Sequence, residues 1–289
     1  MTAYGPYDIL STIMSYYKIL GLDKEPFSTS PDPAFFYESQ EHHAALMRLM
    51  IEIRLKRGLS VILGDVGTGK TTLSRKLFHM LKEREDVIFH MILDPGYDSE
   101  ELFLDSVMRT FMITLDTSYP SILDRKEAIK QYLFRKGVEE NKTVVLLIDE
   151  AQKLNAISLE VLRVLLNYET NEFKLLQLVL LGQLELMSQL RPMKNLCDRI
   201  SLKYVINPLD EPEVRELIKF RLKAAGYDSD IPFFTKEAIT EVYKHTQGYP
   251  RRIAMVCHNA LKALVMDNKT VIDASMIRDL IARDIKVGV

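Results

Sequence analysis

A three-layer α/β domain with a five-stranded, mostly parallel sheet, followed by a small all-helical domain, is the architecture this sequence predicts. Three observations predict it. Strand-like apolar runs alternate with helically spaced segments between residues 59 and 208. Two of those runs, Val144 to Ile148 and Leu178 to Leu181, are unbroken, as in strands buried on both faces of a parallel sheet. After Pro208 the alternation stops and only helical spacing continues. The boundaries read as a lead-in over residues 1–58 that packs on the core, the α/β domain over 59–208 and the helical domain over 209–289.

The chain has 289 residues, long enough for two domains. Its 47% hydrophobic and 27% charged residues are ordinary for a soluble globular protein. A net charge of −2 and a pI near 6.3 exclude a global basic field directed at nucleic acid or an anionic membrane, and leave room for a local basic patch. Cys197 and Cys257 lack ligand spacing, so reduced thiols are expected. The apolar runs are too short to span a bilayer, and the N-terminus has neither the basic nor the apolar region of a signal peptide. A cytoplasmic protein with no direct membrane insertion is expected.

In order along the chain, Ile13, Met14, Tyr17, Ile19 and Leu20 form a short apolar cluster closed by Gly21, and Pro26 through Pro33 must run extended or in turns. Residues 41–57 read as an amphipathic helix carrying Ala45, Leu46, Leu49, Met50 and Ile53, ended by Gly58. His42 and His43 in its first turns have no partner at metal-ligand spacing and read as packed or solvated. Residues 59–63, 87–93, 143–148, 176–181 and 202–206 read as strands. Helices are expected from Thr72, after Ser99, over 125–136, after a cap at Ser158, and over 184–190. The last part predicts four more: one from Pro212 to Ala225, one capped by Thr235, one over 251–268 and one capped by Asp273.

One loop gives this scaffold its chemistry. The first strand runs into Gly64-Asp65-Val66-Gly67-Thr68-Gly69-Lys70-Thr71-Thr72, which opens a helix. Glycines let the backbone turn its N–H groups inward as an anion-binding nest, and the helix N-terminus adds partial positive charge. Lys70 can reach outer phosphates as a point charge, and Thr71 can place its hydroxyl on Mg²⁺. The pattern is that of a P-loop nucleoside triphosphatase. Asp149, ending an apolar strand roughly eighty residues later, suits the same Mg²⁺. Glu150 beside it suits a base or water-orienting group. Gln183 ends the fourth strand at the edge where ligands gather, where an amide can meet a γ-phosphate or the attacking water. Arg199 and Arg251 could each stabilise charge on a transferring phosphoryl group, but surface arginines are far commoner than fingers and spacing alone favours the ordinary surface reading for both.

The sequence also resembles a known family, the AAA+ ATPases, and within them the ExeA/GspA-like ATPases of bacterial secretion and pilus systems, related to TnsC/TniB-type transposition ATPases. The resemblance rests on Tyr17–Leu22, Glu25-Pro26-Phe27 and Pro31-Asp32-Pro33, on the loop Gly64–Leu73, and on Leu147-Ile148-Asp149-Glu150-Ala151-Gln152. Leu180–Gln183 and Gly248-Tyr249-Pro250-Arg251 extend it. It implies ATP with Mg²⁺, Gln183 as sensor 1, Arg251 as sensor 2 in a helical lid, and Arg199 as a finger acting on a neighbouring subunit's nucleotide, with Arg191 a competitor. Relatives often carry an asparagine after the second strand that restrains the catalytic glutamate; here Asp94 stands there, and an ionised carboxylate cannot donate that hydrogen bond. Secretion ATPases of this type continue into a transmembrane and peptidoglycan-binding region not found in this sequence, so the expectation is a soluble stand-alone ATPase.

Three functions compete. The first is an ATP-driven motor or switch, a homo-oligomeric ring or filament that remodels or loads a secretion or pilus component. The second is an ATP-dependent DNA-binding regulator that directs a transposase. In its favour residues 251–289 hold seven Lys/Arg against four Asp/Glu, three positive charges in excess. The third is a nucleotide-gated adaptor that scarcely hydrolyses.

Overall fold

A computed structural model describes residues 16–28, 33–115, 119–229 and 231–286, and the chain divides into two compact units. One comprises residues 40–66 and 70–207, the other residues up to 39, 67–69 and from 208 on. Of the expected N-terminal features, Ile13, Met14, Pro31 and Asp32 lie outside the described residues.

The first unit is built on five strands: β1 (Leu59–Gly64), β2 (Val87–Ile92), β3 (Thr143–Ile148), β4 (Leu176–Gly182) and β5 (Ile200–Ile206). They pair in parallel throughout, in the order β2-β3-β4-β1-β5. Parallel neighbours need crossovers, and the helices between the strands supply them. Side chains alternate across each strand, so the apolar runs split between two faces. Leu59, Val61, Leu63, Val144, Leu146, Ile148, Leu178 and Leu180 bury with Phe103, Val107, Ile129, Leu133, Leu159 and Leu162 of the helices Glu100–Thr110, Ile122–Phe134 and Ala156–Leu165. Ile62, Val145, Leu147, Val179 and Leu181 bury with Ala45, Leu49, Leu73 and Leu77 of the helices Gln40–Arg54 and Lys70–Leu81. Each buried leucine contributes about 2 kcal/mol over leaving it in water, so both outer layers are held by burial.

Register brings the working ends of the three central strands together. Ile148 of β3 lies opposite Leu180 of β4, and Leu63 of β1 opposite Gly182. The residues that follow, Asp149, Asp65 and Gln183, therefore leave the same edge of the sheet. At the opposite edge Gln177, the buried polar residue of β4, accepts from Gly58 N–H at 2.9 Å and donates to Lys174 O at 2.7 Å. Both halves of its amide are satisfied, which lets a polar group lie inside the layer.

The second unit contains the helices Tyr16–Ile19, Glu211–Ala224, Lys236–Thr246, Pro250–Met266 and Ala274–Lys286. Its core joins Val214, Leu217, Ile218, Ile239, Val242, Ile253, Cys257, Leu261, Leu264 and Ile277. Gly248 is required where it stands. Its φ is +76°, and a Cβ would come within 1.9 Å of the Leu209 carbonyl oxygen. Among the described residues no helix is long and apolar enough to cross a membrane.

Several boundaries differ from expectation. The lead-in over 1–58 does not pack as one piece. The Gln40–Arg54 helix joins the sheet unit, whereas Tyr16, Leu22, Phe27 and Phe35 bury in the core of the helical unit. The cause is local: Asp23 N–H and Lys24 N–H donate to Ala225 O, and the Phe27 ring meets Phe234 edge-on at 6.2 Å. Ser158 does not cap the helix after β3. Asn155 does, accepting from Ser158 N–H at 2.8 Å, and Ser158 lies buried inside the helix. The helix expected from Arg125 begins at Ile122, capped by Ser121. A short helix, Lys194–Cys197, precedes β5, which starts two residues early, at Ile200.

Candidate active site

Lys70 opens the helix after β1 and is buried, 6% exposed. Its ammonium donates to Gly64 O at 2.7 Å and to Asp65 O at 2.9 Å. Burial pulls its pKa below the ordinary lysine value, opposed by the charges of Glu150, Asp149, Asp65 and Glu185. A cation held on carbonyl oxygens, out of water, is poised to exchange those weak acceptors for anionic oxygen.

Asp149 follows β3 and is 2% exposed. Burial raises its pKa, while hydrogen bonds from Glu150 N–H, at 2.9 Å, and from the Thr71 hydroxyl favour the carboxylate. Thr71 and Asp149, from two different elements, therefore meet. Among the described residues no three His, Cys, Asp or Glu side chains gather to hold a metal ion. A hydroxyl and one carboxylate leave most positions of an octahedral ion to phosphate oxygens and water, which suits Mg²⁺ and not an all-protein cage.

Glu150 has φ 51° and ψ 36°, a left-handed conformation that is uncommon without glycine and is typical of strained functional positions. Its carboxylate accepts from Gln152 Nε2 at 2.7 Å. The other end of the same amide, Gln152 Oε1, accepts from Gln183 N–H at 3.1 Å. Gln183 thus sits at the expected strand end and is tied to the Asp149–Gln152 turn through its peptide.

Asp94 does not bond Glu150. It accepts from Lys153 Nζ at 3.2 Å in an exposed ion pair. Val66 is exposed and Thr68 is 1% exposed. Thr72 follows in the first turn of the Lys70 helix, half-buried. Within the helical unit, which includes Gly67, Thr68 and Gly69, Arg251 N–H approaches Gly67 O at 3.4 Å. Gly67 has φ +85°, and a Cβ there would lie 3.1 Å from Arg251 Cβ. Arg199 donates Nε–H to Asn195 O at 3.1 Å, and the exposed Arg191 ends the Leu186–Leu190 helix.

One residue given no role from sequence belongs to this geometry: Gln152, which bridges Glu150 and Gln183. Gln152 closes the Leu147–Gln152 segment, but no spacing rule says which way an amide two residues beyond a left-handed turn will point.

A buried lysine on a glycine loop, a hydroxyl–carboxylate pair and a second acid at one edge of a β2-β3-β4-β1-β5 parallel sheet define a P-loop protein of the AAA+ class. Residues 53–190 match the family described as AAA domain. The chain is 36% identical over 250 residues to General secretion pathway protein A of Aeromonas hydrophila, covering 86% of this chain and 44% of that one. The chain thus spans less than half the length of this relative. Among solved structures it is similar to the Aeropyrum pernix ORC2 protein in its ADPNP-ADP complexes, with a TM-score of 0.64, 15% identity, and coverage of 90% of this chain and 71% of that one. It is also similar to the Thermotoga maritima RuvB Holliday junction branch migration motor, with a TM-score of 0.53, 16% identity, and coverage of 83% and 68%. At these identities the two structures speak to the fold alone. In fold the chain is an AAA+-type α/β protein, and in sequence it is similar to the ExeA/GspA-like ATPases.

Proposed function

We propose that this protein is an ATP-binding, ATP-hydrolysing switch or motor that assembles with copies of itself and remodels or loads a protein partner of a bacterial secretion or pilus-type assembly. The observation that carries the reading is the meeting of Lys70, Thr71, Asp149 and Glu150 where β1 and β3 end. The secretion role draws on the name of the Aeromonas relative. A cytoplasmic location accompanies it.

In this reading the N–H groups of Gly64 to Thr72 receive the phosphates and Lys70 moves its ammonium from two carbonyls to the outer phosphate oxygens. Thr71 and Asp149 would hold Mg²⁺, which when bound neutralises charge on the outer phosphates. Glu150 orients the attacking water and accepts its proton as oxygen approaches the γ-phosphorus. Gln183 offers its side-chain amide to the γ-phosphate or the water. Arg251 serves the nucleotide as sensor 2. Arg199, with Arg191 as its competitor, acts on the nucleotide of a neighbouring copy in a ring or filament.

The test is turnover measured against protein concentration. Specific ATPase activity rises as copies assemble, and Arg199→Ala lowers turnover at assembling concentrations by about 10³-fold, the lower range for losing such an arginine, while leaving ATP binding intact. Undiminished turnover at every dilution contradicts the assembly.

One observation favours a second reading, an ATP-dependent regulator that assembles on DNA and recruits a transposase: the excess of three positive charges over residues 251–289. Stimulation of turnover by duplex DNA, lost as salt is raised, promotes it; no DNA binding at low salt removes it. Multiple-turnover phosphate release removes a third reading, the weakly hydrolysing nucleotide-gated adaptor.

A further inference from the structure

We propose that Gln152 is a positioning residue of the site, its side-chain amide holding the Glu150 carboxylate and coupling it to the peptide N–H of Gln183. The inference rests on the ATPase reading given above. Three hydrogen bonds fix the group: Gln152 Nε2 to Glu150 Oε2 at 2.7 Å, Gln183 N–H to Gln152 Oε1 at 3.1 Å, and Gln189 Nε2 to Gln152 O at 2.8 Å.

The orientation of the amide follows from its partners. Reversing it would set its oxygen against a carboxylate and its NH₂ against an N–H, so both bonds would become repulsions. A glutamine here can therefore serve only one way round. The turn packs closely on the end of β4: a Cβ on Gly182 would lie in ordinary contact with Gln152 N, at 3.4 Å, and would crowd Leu186 Cδ2 at 2.9 Å.

The acid that Gln152 holds directly follows Asp149, whose carboxylate accepts from the Thr71 hydroxyl and from Glu150 N–H, so it stands beside the loop that would receive the phosphates. Asp94 is engaged with Lys153 and, as a carboxylate, has no proton to offer Glu150. Gln152 supplies that donor from the turn itself. Any displacement of the Gln183 peptide must either stretch the 3.1 Å bond or carry the amide, and with it Glu150. Occupancy at the β4 end and the position of the base are linked through one side chain.

The experiment compares single-turnover and steady-state hydrolysis of ATP by wild type, Gln152→Ala, Gln152→Glu, Glu150→Gln and Glu150→Gln/Gln152→Ala, with affinity for a fluorescent non-hydrolysable ATP analogue and thermal stability measured alongside. Gln152→Ala is expected to lower kcat by about 10- to 100-fold, within the range a positioned base supplies, with KM and analogue affinity within about twofold. Gln152→Glu keeps an acceptor for Gln183 N–H but sets a carboxylate against Glu150, and is expected to lose at least as much. The double variant is expected to turn over no more slowly than Glu150→Gln, because Gln152 acts only through Glu150. Gln152→Ala within about twofold of wild type, or a double variant that multiplies the two losses, overturns the inference and leaves the ATPase reading standing. A wild type no faster than Lys70→Ala overturns the ATPase reading and this inference with it.

Discussion

Lys70 is a cation taken out of water and left on two carbonyl oxygens, with four acids acting on it. Such a group costs stability unless an anion completes it, which is why it reads as a binding group and not as part of the core. His90 makes the opposite case. It faces Tyr132, donating to or accepting from the hydroxyl at 3.0 Å, stacks near Phe111, and is held neutral by burial, its pKa pulled down to about 4. The unfolded chain protonates this histidine near pH 6.5 and the folded chain only near 4, so the unfolded state binds the extra proton between these values. Its contribution to stability is therefore full above about pH 6.5 and falls as pH drops through that window. Denaturant unfolding of wild type and His90→Asn at pH 7.5 and pH 5 checks this: wild type should lose more stability than the variant on acidification. Equal losses would show that His90 is not the titrating group.

At the scale of elements, caps decide where helices begin. Asn155 accepts from Ser158 N–H and also donates to Tyr97 O at 2.8 Å. Ser158 carries a buried hydroxyl with no partner. Asn155→Ala is expected to cost about 1–2 kcal/mol, the usual loss for an N-cap, and to lower Tm by roughly 2–4 °C per kcal/mol. Ser158→Ala, which removes an unsatisfied group, is expected to leave Tm unchanged or raise it. Thermal unfolding of both variants distinguishes them, and a larger loss in Ser158→Ala would return the cap to the serine. The pair also shows what sequence made legible. Unbroken runs such as Val144 to Ile148 announce buried strands because burial on both faces demands apolar residues at every position. Both Asn155 and Ser158 are good caps by chemistry, and only the path of the backbone chooses between them. Phe27 is plainly a core residue, but an aromatic side chain does not say which core, and sequence alone therefore packs the whole lead-in on the α/β core, whereas Phe27 buries with the helical unit. Gly64 to Thr71, Asp149 and Glu150 were readable because they are local or end a strand. Gln152 was not, because its role depends on β4 ending beside the turn.

Over the whole molecule, two compact units each carry their own core, and the sheet unit brings together Lys70, Thr71, Asp149, Glu150, Gln152 and Gln183 from three chain segments. The parallel order β2-β3-β4-β1-β5 does this by ending β1, β3 and β4 side by side. The central claim is that this convergence hydrolyses ATP. It is tested most directly by multiple-turnover phosphate release from ATP with Mg²⁺, for wild type, Lys70→Ala and Glu150→Gln, with nucleotide binding measured on the same samples. The account predicts turnover by wild type alone, ATP bound but turned over at least about 100-fold more slowly by Glu150→Gln, and little ATP bound by Lys70→Ala. Turnover by Glu150→Gln equal to that of wild type, or by wild type no greater than by Lys70→Ala, would contradict it.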